Sequence, residues 1–299
     1  MKKILKFSIL AMLLFLLLWG CDKTTEANND PQTDEEAINM LLEENDPYFT
    51  TQNHYGEEDT TGVKNGDRTE INTFFWYREL KPNPEYLIDI QINGDSAYVS
   101  IHGDYEGTLN LFAWENDSIK TYTKDFTDQS LRYAIFKQLF DPAEDPDHRR
   151  GWRLTHVSGA ETGPENHTVY IDSVRLNCES YPDTLIIDPL AIFSKEELFT
   201  VMPEEPCTLT VYTNTDPENF DHVFLHSWRR HIQHHRGRFS YIGDGIYMGV
   251  WIAPSDDPAA LDRVHHVAFD MIKKETLEDD SHIYDSNAWL FPYQVSGTK

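Results

Sequence analysis

From Tyr86 onward the apolar residues fall into a period of two, and that period constrains the fold more than any other feature of the chain. Ile88, Ile90 and Ile92 alternate with Leu87, Asp89 and Gln91 before Asn93-Gly94-Asp95 turns the chain. Ala97, Val99 and Ile101 continue the alternation up to Gly103-Asp104, and Leu109, Leu111 and Ala113 resume it up to Asn116-Asp117. Successive side chains of a strand point to opposite faces, so this pattern specifies half-buried strands. Asn-Gly and Asp-containing turns between such runs are the strongest short-range hairpin signal. Residues 130–140 and 151–158 complete the set of strands, separated by an acidic, proline-bearing loop at 140–150.

Upstream, residues 36–44 carry Ala37, Ile38, Leu41 and Leu42 at helical spacing, which predicts a short amphipathic helix. Phe74 to Tyr77 is an apolar block that must be buried, but it is too short to decide between helix and strand. Residues 168–177 form one more expected strand, and residues 179–188 read as a linker. The second half is also strand-rich, at 208–213, 222–232, 246–252 and 264–272. An aromatic tail at 284–293 has to pack back on the fold, because a free tail would not carry Trp289, Phe291 and Tyr293.

One early helix followed by long antiparallel strands and the closing stretch RGWRLTHVSG resembles the nuclear transport factor 2-like (SnoaL-like) roll. Gly243-Asp244-Gly245-Ile246-Tyr247-Met248-Gly249 resembles the tyrosine-corner stretch of immunoglobulin-like sandwiches, in which the tyrosine hydroxyl bonds back to the backbone. The expected fold is therefore an α+β roll over residues 36–178, with a helix on a curved antiparallel sheet. An all-β immunoglobulin-like sandwich follows over 189–299. The roll implies a conical pocket but no particular activity.

Lys2, Lys3 and Lys6 precede an apolar run that closes with Gly20-Cys21, the order of a secretory signal. The ending Leu18-Trp19-Gly20-Cys21 resembles the bacterial lipobox. That resemblance implies cleavage after residue 20, lipidation of Cys21 and a tether over 21–35. The chain carries 25 bases and 51 acids for a net charge of −26, and loss of the first 20 residues removes only bases. So acidic a chain argues against nucleic-acid partners. An exported compartment permits disulfides, and Cys178 and Cys207 are the candidates for a bridge.

Three groups of residues are candidate sites. Trp76, Tyr77, Arg78, Trp152 and His156 are the candidates to line a pocket in the first half. Eight of the 13 histidines lie between 222 and 282. Of these, His222, His226, His231, His265 and His266 are candidate metal ligands, although their spacing matches no zinc motif. Arg229, Arg230, Arg236 and Arg238 form a basic stretch suited to an anion or an acidic partner. No nucleophile elbow, zincin or phosphate-loop motif is present. The expectation is an exported, lipid-anchored, non-enzymatic binding or scaffold module that meets the membrane through its anchor. Its other partner would be an envelope protein or a small ligand. No cofactor is expected, and the alternatives are a small-molecule-binding or acid-base catalytic roll and a transition-metal site on the histidines.

Overall fold

The computed structural model describes residues 30–50, 54–55, 71–218, 220–229, 233–253 and 264–296. Helix α1 (Asp34–Glu44) starts at a capping box. The Thr33 hydroxyl accepts from the Glu36 amide at 3.1 Å, and the Glu36 carboxylate accepts from the Thr33 amide at 3.2 Å. Its buried stripe is Ala37, Ile38, Leu41 and Leu42, the four residues whose spacing marks it in the sequence.

The first strands are β1 (Thr73–Leu80), β2 (Glu85–Asn93), β3 (Ser96–Glu115) and β4 (Ser118–Gln138). Asn93 pairs with Ser96 and Glu115 with Ser118, so both tight turns lie where the alternation places them. The Gly103-Asp104 stretch does not turn, and β3 runs through it for 20 residues. A strand of that length spans roughly 65 Å at about 3.3 Å per residue and has to curl to stay with one core. Its edge is shared: β2 pairs with its first half and β1 with its second. At Gly107 a side chain would meet the Phe126 ring and the Glu79 carbonyl oxygen, each at 2.4 Å from a Cβ, so only glycine allows that approach.

Next come β5 (Trp152–Val157), β6 (Ala160–Gly163), β7 (Ile171–Asn177), β8 (Thr184–Ile186), β9 (Phe193–Ser194), β10 (Phe199–Val201) and β11 (Pro206–Thr213). They are followed by β12 (His222–Arg229), β13 (Gln233–Arg238), β14 (Ser240–Gly243), β15 (Ile246–Ile252), β16 (Val264–Ile272), the one-turn helix α2 (Lys274–Glu278) and β17 (Ser286–Val295). A curled half-barrel sheet runs β1-β3-β4-β6-β17-β16-β12-β13, with β2, β5, β9 and β10 added at its sides. A second sheet runs β14-β15-β11-β7-β8.

This architecture overturns the expected fold class. The protein is mostly β, not an α+β roll followed by an immunoglobulin-like sandwich. The expected tail is strand β17, which lies inside the large sheet between β6 and β16. Strands from both sides of residues 179–188 thus hydrogen-bond into one sheet, and the expected linker itself contributes β8 to the other. Period-two alternation specifies that a segment is a strand but not which strand it pairs with. One local feature of the resemblance is present: the Tyr247 hydroxyl donates to the backbone carbonyl of Asp221 at 2.8 Å.

Strands β16 and β17 are buried on both faces, which is why they read as nearly continuous apolar runs. Val267, Phe269, Met271, Trp289, Phe291 and Tyr293 face the second sheet and meet Val174, Leu176, Leu209, Val211 and Trp251 in the largest core. A disulfide between Cys178 and Cys207 ties the end of β7 to β11 within that layer. His266, Ala268, Asp270, Ala288 and Leu290 alternate with those residues and face the concave side of the half-barrel. Helix α1, residues 45–50 and residues 54–55 supply the cover of that side, where Ala37, Ile38, Leu41 and Leu42 pack with Val99, Phe136, Trp152 and Val157.

Candidate functional site

Two places on the large sheet, one on each face, carry chemistry. On the concave face, inward positions of β1, β4, β12 and β16 bring together groups distant in sequence. Arg78 forms a fork on Asp270, with Nη1 donating to Oδ2 at 2.7 Å and Nη2 to Oδ1 at 3.1 Å, and both side chains are fully buried. His226 Nε2 lies 2.9 Å from the same Oδ2. The Arg78 Nε donates to the Tyr284 hydroxyl at 2.8 Å. Tyr284 and Tyr55 each donate to Asp128 Oδ2 at 3.1 Å. His54 stands between the two carboxylates, 3.8 Å from Asp128 and 3.9 Å from Asp270. Both distances exceed hydrogen-bond length.

Burial alone would raise the carboxyl of Asp270, but Arg78, then His54 and His226, hold it well below the ordinary carboxylate value. Burial lowers His54, and the Arg78 charge lowers it further. Burial raises both phenols, Tyr55 and Tyr284. The cluster thus sets the Arg78–Asp270 ion pair beside a His54 imidazole and two phenols that burial holds in their neutral forms. Every member lies under the surface, so no nucleophile faces solvent, and the arrangement's work is to join β1, β4, β12 and β16 to residues 54–55.

His54, His226 and Asp270 place one ligand atom each within 4.8 Å of one another, the spacing of a metal-binding trio. The donor set fits a divalent ion poorly. Asp270 Oδ2 already carries the Arg78 guanidinium, and an ion there would put a second buried cation beside the first.

The residues singled out in the sequence are distributed as follows. Trp76 is buried on the concave face beneath two guanidinium groups, with Arg236 at 3.7 Å and Arg78 at 5.1 Å from its ring centre. Trp152 is buried in the separate cluster under α1, so the two tryptophans do not close one pocket. Tyr77 stacks on Phe112, on the other face of β1. His156 is half-buried on β5 beside β9, its Nδ1 2.9 Å from the Thr155 hydroxyl. His222 and His226 share a face but serve different carboxylates, His222 lying 3.1 Å from Glu278. His265 lies against Tyr293, on the face opposite His266. The described metal candidates, His222, His226, His265 and His266, therefore do not converge, and the histidine that joins His226 is His54, from far upstream.

Of the arginines in the basic stretch, only Arg236 and Arg238 have described side chains, the first buried and the second exposed. Arg236 is buried against Trp76 and donates to its carbonyl at 3.1 Å, and Arg238 contacts His222 at 2.7 Å. Arg229 belongs to β12, with its side chain outside the described set; Cys21, Arg230 and His231 lie outside the described residues altogether. Sequence reasoning passed over His54, Asp128, Arg132 and Asp270. A lone acid inside the apolar run Val267-Ala268-Phe269-Asp270-Met271-Ile272 is the one signal that could have found Asp270, because an acid there requires a buried partner.

On the opposite face, the two sheets part at the β8 edge and leave a cleft of about 370 Å³. Ile186, Phe193, Phe199, Val267, Phe269 and Phe291 line it, with Asp188 and Glu197 at its margin. Leu185 and Ile187 stand exposed on its rim at 55% and 72%. A larger, more open depression of about 910 Å³ adjoins it through Tyr181 and Glu197, bordered by Glu179, Glu196, Glu204 and Glu205. Comparison with known protein families, curated proteins and solved structures finds no match to this chain.

Proposed function

We propose that this protein is an exported, lipid-tethered, non-enzymatic binding module whose cleft takes a small apolar molecule bearing a positive charge. The observation that carries the reading is the junction of an aromatic cleft with a carboxylate-lined depression. Ligand pockets commonly fall between 300 and 1,000 Å³ and pair apolar walls with a few polar groups. Here the polar groups are acidic in a chain of net charge −26. A cationic headgroup over Glu197 with its apolar part between Phe199 and Phe291 satisfies both walls. The lipid tether rests on the sequence at Cys21, and the disulfide agrees with an exported compartment.

The test is a fluorescence titration with a naphthyl-alkylamine and with the alcohol of the same skeleton. The amine is expected to bind saturably and more tightly, with the difference shrinking in high salt. Val267→Trp, which fills the cleft, is expected to abolish binding of both. Failure of the amine to bind the folded protein, or equal affinity for amine and alcohol, rules the reading out. Cys21→Ala is expected to move the protein from the membrane to the soluble fraction of the envelope.

A further inference from the structure

The concave face holds a charge that the ion-pair cluster does not use. Arg132, on β4, is only 4% exposed, and its Nη2 has no hydrogen-bond partner. No carboxylate of the described residues comes within ion-pair distance of it, and the acid acting on it, Asp46, does so from a distance. Of the other buried arginines of this face, Arg78 forks onto Asp270, and Arg236 lies on the Trp76 ring and donates to the Trp76 carbonyl. A guanidinium cannot shed its proton to escape burial, so it needs a counter-charge. A buried water would meet its hydrogen-bonding need but not its charge.

We propose that Arg132 anchors a subsite for a small monocarboxylate on the concave face of the half-barrel. Its surroundings suit such a ligand. Ile101 lies directly across on β3 and offers an apolar wall. The Tyr86 and Tyr105 hydroxyls, 3.4 Å apart, lie within electrostatic reach of the guanidinium and supply polar contacts for a second oxygen. Tyr86 is 55% exposed while Tyr105 is buried, so the tyrosine pair leads from the neighbourhood of Arg132 to solvent. Gly103, paired with Tyr86, has no side chain to push the Tyr105 ring aside; a Cβ there would stand 2.8 Å from it.

The class of anion follows from charge. One guanidinium compensates one negative charge, and its planar fork matches a carboxylate through two parallel hydrogen bonds. Inorganic phosphate at neutral pH is in large part a dianion, and its second charge would be buried uncompensated inside a strongly acidic protein. His266, the other basic group beside Arg132, is held neutral by burial and cannot compensate it. The subsite lies on the opposite face of the sheet from the aromatic cleft, so it stands or falls independently of the cleft's ligand.

The experiment is thermal unfolding of the full chain in mild detergent, at constant ionic strength, with sodium propionate or sodium phosphate replacing sodium chloride. Propionate is expected to raise the wild-type Tm saturably by about 2–4 °C, because a ligand that binds only the folded state stabilises it. Arg132→Met is expected to lose that rise while keeping a Tm in chloride no lower than wild type, since it removes an uncompensated buried charge. Arg132→Lys, which keeps the charge without the fork, is expected to show a smaller rise. Equal Tm values in propionate and chloride would overturn the proposal. An undiminished rise in Arg132→Met or Arg132→Lys would do so too, as would a larger shift with phosphate. Should Arg132→Met not fold, the comparison of wild type with Arg132→Lys still decides.

Discussion

Arg78 and Asp270 stand 192 residues apart in the chain and meet through two hydrogen bonds of 2.7 and 3.1 Å with no exposure to solvent. One sits on β1 and the other on β16, so the pair closes the half-barrel across its concave side. A buried pair of this kind stabilises little over well-packed apolar residues, but a lone survivor is costly. Arg78→Met and Asp270→Leu are each expected to destabilise by about 3–5 kcal/mol, while the double variant costs clearly less than the sum of the two. Denaturant titrations of all four proteins check this. Additive costs would mean that the two charges do not compensate each other.

Acid is expected to weaken the fold well before carboxylates protonate. Burial, reinforced by the charge of Arg132, pushes His266 from 6.5 down to about 3, and burial also lowers His54 and His222. For a group whose folded value is depressed, the unfolded chain takes the proton first. The stability contributed by these neutral histidines is present above about pH 6.5 and is lost as pH falls toward their folded values. His266 alone accounts for about 2 kcal/mol between pH 7.5 and pH 5, at 1.36 kcal/mol per pH unit. Denaturation midpoints at pH 7.5, 6 and 5 should fall in that order, and less steeply in His266→Phe. Below pH 4 the loss continues, because the unfolded chain's Asp270 takes up a proton that Arg78 keeps off the folded one. A flat profile from 7.5 to 5 would contradict the burial of these rings.

The Cys178–Cys207 bridge closes a loop of 29 residues of separation that contains β8 and one wall of the cleft. In the chain-entropy model such a cross-link stabilises by about 3–4 kcal/mol. Cys178→Ala/Cys207→Ala should lower the unfolding free energy by that order. It should also weaken amine binding at the cleft, because Tyr181 and residues 184–188 are then held by fewer constraints. Unchanged binding in the bridge-free protein would mean that β8 keeps its place without it.

How far the chain could be read depended on whether a feature is local. The helical stripe of Ala37, Ile38, Leu41 and Leu42, the turn at Asn93-Gly94-Asp95 and the strand at 264–272 are each encoded within a few residues, and each is present in the structure. Residues 284–293 were legible as buried but not as a central strand, since nothing local says that Ala288 pairs with Thr162 on one side and Asp270 on the other. The same limit hid the site. Asp128 sits in a stretch of mixed polarity, and His54 lies in a polar one, so neither announces burial. Only the curl of a 20-residue strand against its 21-residue neighbour brings these positions to one face.

By itself, then, the sequence determined the period of each element, its tight turns, its acidity and the bridgeable cysteines, because side-chain direction and turn chemistry are properties of adjacent residues. The tertiary structure alone decided which strands pair, that both halves share one sheet, and that Arg78 finds Asp270 while Arg132 pairs with no acid among the described residues. Those outcomes depend on register and curvature summed over many strands, and no short window of residues carries them.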